Sequence, residues 1–151
     1  MKTYFKTIKV ISLIFWKKSF SDKRLLFRIL YLLVFFRVLI FLPFKAISHF
    51  LGETGRESST SVLHIHDEYV RTIARYIKTM SRFMPWKSTC LVQAAAGKIL
   101  MNRKKIDSTV YFGVKKDNKN KLQAHAWLRV GHDIILGGEN ASEFVVVSMF
   151  S

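Results

Sequence analysis

The only cysteine of the chain, Cys90, stands in the run Pro85-Trp86-Lys87-Ser88-Thr89-Cys90-Leu91-Val92-Gln93-Ala94-Ala95-Ala96. His125 follows within Ala124-His125-Ala126-Trp127. A thiol attacks a carbonyl carbon well only as the thiolate, and a helix N-terminus or an adjacent base favours that form. Pro85 breaks one helical pattern, and Ser88 or Thr89 can cap the next, which continues to about Arg103. Cys90 then lies in the first turn, where unpaired N–H groups and the positive end of the helix dipole gather. Its own N–H would contribute to an oxyanion hole, and Gln93, one turn on, is a candidate support. His125, on a strand face, fits the role of base. Together the two side chains could perform nucleophilic acyl transfer. Taken singly they say less: a cysteine in an Ala-rich helix is also a small buried side chain, and Trp86 and Trp127 read as packing before they read as substrate platforms.

The elements that must hold this pair are legible on both sides of it. Thr109 to Val114 is rich in branched and aromatic residues and reads as a strand. After the polar loop Lys115 to Lys121, residues Leu122 to Val130 alternate cleanly. Leu122, Ala124, Ala126, Leu128 and Val130 face one side, and Gln123, His125, Trp127 and Arg129 the other. Gly131-His132 looks like a tight hairpin turn, Asp133 to Leu136 returns antiparallel, Gly137-Gly138 breaks the strand, and Glu143 to Phe150 is a last strand. Upstream, a helix is expected from about His66 to Phe83, with Val70, Ile73, Ala74, Ile77 and Met80 on one face and Arg71, Arg75, Lys78 and Arg82 away from them. His64 and His66, beside Asp67 and Glu68, read as solvated residues at the helix start rather than metal ligands.

The first fifty residues are basic and apolar. Residues 1 to 20 place Lys2, Lys6, Lys9, Lys17 and Lys18 among Phe5, Ile8, Ile11, Leu13, Ile14, Phe15 and Trp16, and read as an amphipathic helix rather than a secretory signal. Ser21-Asp22 can cap a second helix to about Phe41, with Pro43 behind it. Residues 25 to 44 hold sixteen Leu, Ile, Val or Phe. At the centre of a membrane these contribute roughly −7 kcal/mol, and Arg28 and Arg37 return roughly +6, so hydropathy leaves open a buried helix, a membrane-associated one and a span. Gly52 to Thr60, polar and with two glycines, reads as a boundary between a helical region, 1–52, and a second unit, 61–151.

Half of the 151 residues are apolar, enough for a core. One cysteine excludes an internal disulfide framework and points to a reducing compartment. The net charge of +15 predicts attraction to something anionic: a membrane surface, an acidic peptide or an acidic protein. Nucleic acid is not expected. No helix-turn-helix, zinc spacing or RNA-binding aromatic motif is present, and the charge falls in short pairs between Leu and Phe.

A helix-borne Cys followed by a strand-borne His is the order of papain-like enzymes. Residues 85–150 resemble more closely the peptidase half of lasso peptide biosynthesis proteins, of the bacterial transglutaminase-like superfamily. The resemblance is carried by Pro85-Trp86, Cys90-Leu91 with Gln93-Ala94, Tyr111-Phe112-Gly113-Val114, Ala124-His125-Ala126-Trp127, Gly137-Gly138 and the Phe144 to Phe150 segment. Leu42-Pro43-Phe44 matches more loosely. The resemblance implies an α+β fold, with N-terminal helices and then a Cys-bearing helix packed on a small antiparallel sheet. It also implies a cysteine peptidase that removes the leader from a ribosomally made precursor, working with a separate leader-recognition protein and ahead of an ATP-dependent cyclase, without cofactor or metal. Such a protein would be cytoplasmic or peripheral at the inner face of the membrane. Proteins of this kind generally orient the histidine with an acid, and the resemblance puts Asp133 in that role. Strand geometry argues otherwise: Asp133 would sit roughly 17 Å from His125 at ~3.4 Å per residue. The position across from His125 falls near 137 or 138, both glycine, with Glu139 and Asn140 just beyond. Two other readings stand beside this one: an inactive, basic, membrane-associated scaffold of the same fold, and an acyl- or amide-transferring enzyme using the same Cys-His pair.

Overall fold

Helices come first along the chain and strands last, the segregated order that stacks helices against one face of an antiparallel sheet. The computed structural model describes residues 19–59, 67–86 and 89–151. Within these, α1 spans Phe20–Leu39, α2 Phe44–Leu51, α3 Asp67–Phe83 and α4 Cys90–Arg103, followed by β1 Thr109–Lys116, β2 Leu122–Val130, β3 Asp133–Leu136, a 3-10 turn Ala141–Glu143 and β4 Val145–Phe150. The sheet order is β3-β2-β1-β4, antiparallel throughout. This is the α+β architecture expected, with the Cys90 helix against the sheet. The helix expected within residues 1–20 falls almost wholly outside the described residues, as do His64 and His66.

The core forms between α4 and the sheet. Ala94, Ala95 and Ala96 are fully buried, and their small side chains let α4 approach β2 closely. Val92, Leu100 and Met101 from α4 meet Val110, Ala126, Leu128, Val130, Leu136 and Phe150. The α3 residues Val70, Ile73, Ile77 and Met80 join the same cluster, as do Leu26, Ile29, Leu33 and Phe36 of α1 at helical spacing. From Ala126 on, alternation along β2 is as the pattern predicts: Ala126, Leu128 and Val130 enter this core, while Trp127 turns to the other face and packs with Tyr111 and Ala141; Leu122 and Ala124, at the outer end of the strand, are exposed. No helix of the described residues is long and apolar enough to cross a membrane. α1 instead buries one side.

Two stretches differ from expectation. Phe44–Leu51 is helical, with Pro43 as its N-cap and Ile47 and Leu51 buried; eight residues between a proline and a glycine are too few to display a period. The polar stretch 52–59, which reads as a boundary, is stitched to the sheet. Glu53 and Ser151 exchange backbone hydrogen bonds, Gly55 N–H donates to Met149 O, and Ser58 N–H donates to Thr109 Oγ1. Arg129 donates to Ser58 O at 2.9 Å and pairs with Glu57, whose carboxylate also accepts from the Tyr111 hydroxyl. Main-chain groups of the stretch, joined by the Ser58 hydroxyl and the Glu57 carboxylate, are therefore partnered with the sheet rather than left to solvent.

Candidate active site

α4 opens at Cys90, so the N–H groups of its first turn have no intrahelical acceptor. Thr89 occupies the N-cap position, as expected, but its side chain makes no capping bond, and its Oγ1 is buried without a partner among the described residues. An uncapped first turn of this kind can serve an anion, and Cys90 beside it is half-buried and free of disulfide.

β3 ends at Leu136, and Gly137 turns the chain beneath the outer end of β2. This exposes the edge of β2 where His125 lies. A cleft of about 580 Å³ opens there, lined by Cys90 and Gln93 of α4, His125, Gly137, Glu139 and Asn140, and Lys78, Ser81 and Arg82 of α3. The structure thus brings Cys90 and His125 to one cleft and adds Gln93 to it.

The imidazole is held on three sides. Its Nε2 lies 2.7 Å from Gly137 O. A carbonyl oxygen can only accept, so Nε2 carries the proton and donates, which leaves Nδ1 as the basic nitrogen. Phe144 tilts against the ring at 4.9 Å between centroids, and Trp127 stacks at 5.9 Å. Both neighbours depend on Gly113, the residue across from His125 on β1. A Cβ there would come within 2.8 Å of both Phe144 and the Trp127 ring.

Asp133 is placed elsewhere. It pairs with Val130 at the turn end of the β2–β3 hairpin, is exposed, and does not line the cleft. The acceptor on His125 is a main-chain oxygen. Glu139 and Asn140 do line the cleft, and neither is hydrogen-bonded to His125 among the described residues. Sequence reasoning missed three residues here. Lys78 and Arg82 recur at i, i+4 on the polar side of α3, a signal that reads equally as a solvated face. Ser81, between them, is polar and has its Oγ buried without a partner among the described residues.

A helix-borne thiol and a strand-borne imidazole at one cleft make an arrangement suited to cysteine-based acyl chemistry. The family model described as the transglutaminase-like superfamily matches residues 32–149, and the chain belongs to that superfamily. The matched stretch contains every residue of the cleft. The superfamily includes cysteine peptidase-like members, and its fold is commonly a cysteine-based catalytic one. No curated protein and no solved structure matches the chain.

Proposed function

We propose that this protein is a cysteine peptidase that removes the leader from a ribosomally synthesised lasso peptide precursor. The observation that carries the catalytic reading is the shared cleft: Cys90 at the open N-terminus of α4, with His125 oriented by the Gly137 carbonyl. The lasso substrate rests on the resemblance of Pro85-Trp86, Cys90-Leu91, Tyr111-Phe112-Gly113-Val114 and Ala124-His125-Ala126-Trp127 to that group of proteins.

In the proposed reaction, Nδ1 of His125 takes the Cys90 thiol proton. The thiolate attacks the scissile carbonyl carbon, forming the S–C bond, while backbone N–H groups of the α4 first turn stabilise the oxyanion. The imidazolium gives its proton to the leaving amine as the C–N bond breaks. Water then attacks the thioester, His125 accepts its proton, and the carboxylate product leaves with the thiol restored. A separate leader-binding protein presents the precursor in the cytoplasm, and an ATP-dependent cyclase uses the freed N-terminus. No cofactor enters the reaction.

The test is mass spectrometry of a precursor peptide encoded nearby, incubated with this protein and its leader-binding partner. Wild type should release a leader fragment whose mass includes one added water, and Cys90→Ala and His125→Ala should release none. Cleavage retained by Cys90→Ala would sink the proposal, and a product mass lacking the added water would mean acyl transfer instead.

A second reading, a catalytically inactive scaffold of the same fold, draws on one observation: no carboxylate is bonded to His125 among the described residues. Iodoacetamide separates the two. An activated Cys90 is alkylated quickly near neutral pH and slows in His125→Ala, whereas in an inactive scaffold both proteins react slowly alike.

A further inference from the structure

Helix α1 is apolar on both of its sides. One face, carrying Leu26, Ile29, Leu33 and Phe36, builds the core. The opposite face carries Phe20, Phe27, Tyr31, Val34 and Val38, exposed by 81, 67, 63, 40 and 61%, and Phe41 follows in the next turn at 78%. At about 100° per residue these six fall within a stripe roughly 80° wide along the whole helix. Leu42, 54% exposed, extends it into the α1–α2 turn. Scattered exposed apolar residues are ordinary, but a continuous stripe of aromatic and branched side chains marks a surface that something covers.

The border of the stripe is basic. By the same helical periodicity Arg24 and Arg28 lie to one side, while Lys23 falls on the other edge with Arg37 beyond it, and the Arg37 guanidinium stands 5.4 Å from the centre of the Phe41 ring. The one acidic residue of α1, Asp22, accepts a hydrogen bond from the Tyr76 hydroxyl at 3.2 Å. An apolar centre with a cationic border is complementary to a phase that is apolar within and anionic at its surface.

We propose that this stripe docks on an anionic lipid bilayer, with α1 lying in the membrane plane, its outer side chains at the acyl boundary and its arginines at the headgroup phosphates. Because the inner face of α1 is committed to the core, the helix lies on the membrane and does not cross it. A second copy of the chain is a poorer occupant. A symmetric pairing would bring two arginine borders together, on molecules that each carry +15.

The test is co-sedimentation of the full chain with phosphatidylcholine vesicles, with and without phosphatidylglycerol. The wild type should bind the phosphatidylglycerol vesicles at least about tenfold more tightly, and added salt should reduce the difference. Phe27→Ser/Tyr31→Ser/Val38→Ser changes only exposed positions, so far-UV circular dichroism should be unchanged while vesicle binding falls about tenfold or more. Arg24→Gln/Arg37→Gln should lose about fivefold per charge removed and become less salt-sensitive. Residues 1–18 are also basic and apolar, so the triple variant, which leaves them intact, is the deciding arm. Three results would overturn the proposal: binding undiminished in the triple variant; no binding by the wild type, with a dimer that the triple variant dissolves; or binding only after residues 1–18 are removed, which would make that segment the occupant.

Discussion

The Nε2 atom of His125 donates to the carbonyl oxygen of Gly137 at 2.7 Å, so the group that orients the imidazole belongs to the main chain. Gly137 can present this oxygen because it adopts φ +71° directly beneath β2. A Cβ on it would stand 2.4 Å from Ala126 O and 3.1 Å from Trp127 Cα, both backbone atoms that cannot swing aside. Gly137→Ala is therefore expected to shift the carbonyl away from His125. An error of about 1 Å in a catalytic group can lower a rate about 100-fold, so leader cleavage should drop about 10- to 100-fold, mainly in kcat. Asp133→Asn, at the far end of the hairpin, should cleave like wild type. An Asp133 variant as impaired as Gly137→Ala would mean that the hairpin rearranges when substrate binds.

Gly113 acts on the same histidine from the other side. It sits across from His125 in the β1–β2 pairing and leaves room for Phe144 and Trp127 against the imidazole. Gly113→Val should push both rings off His125 while suiting a strand backbone, since valine favours extended conformations. Activity should fall about tenfold or more, and Tm should change less than for a typical large core substitution. Kinetics and a thermal melt on one preparation separate the two effects; a collapsed Tm with normal kcat for the folded fraction would assign Gly113 to packing alone.

The pair Cys90 and His125 was legible because each lies on an element with a strong local pattern. Pro85 and the Ala-rich run define the start of α4, and strict alternation from Leu122 to Val130 decides which way His125 faces. The orienting acceptor was not legible in the same way. Strand register puts the position across from His125 near 137 or 138, both glycine, which has no side chain to nominate, and a carbonyl oxygen has no residue type. Asp133 rests on the family resemblance alone, and the hairpin carries it away from the cleft. Stretch 52–59 is polar enough to read as a boundary, and its partners on β1 and β2 lie more than fifty residues away in sequence, where no local pattern shows them. Helix α2 had too few residues to show a period.

Lys78 and Arg82 bring two cations to a cleft whose one acidic lining residue is Glu139. Neither is in an ion pair among the described residues. They are expected to favour precursors with an acidic side chain near the cleaved bond. Both are exposed and so screened, and each exposed charge contact is worth about 0.2–1 kcal/mol. Lys78→Glu/Arg82→Glu should therefore lower kcat/KM about 3- to 10-fold, mostly through KM, and a precursor whose acidic residue is replaced by alanine should lose that sensitivity. Equal effects on acidic and neutral precursors would remove the two cations from substrate recognition.

Lys98 lies two turns beyond Cys90 on α4 and is buried, donating to Ser108 O at 2.6 Å. Burial pulls its ammonium below the ordinary lysine value of 10.5, and the Asp107 charge pulls the other way. Because the folded pKa is the lower one, the unfolded chain binds more protons between that value and 10.5, so stability from this group rises with pH across that window. Below the window the burial penalty is present in full, and above it the penalty is gone. Tyr69 and Tyr111 act oppositely: burial is the chief cause holding both phenols above 10.0 when folded, so their contribution is lost as pH climbs through the folded values. A comparison with Lys98→Met cancels the tyrosines, which both proteins share. The variant also leaves the Ser108 carbonyl without its donor, a pH-independent offset. Thermal melts from neutral pH to the tyrosine range should show wild-type Tm gaining on the variant as pH rises toward 10.5. Two parallel curves would mean that Lys98 is solvated in the folded protein and carries no buried charge.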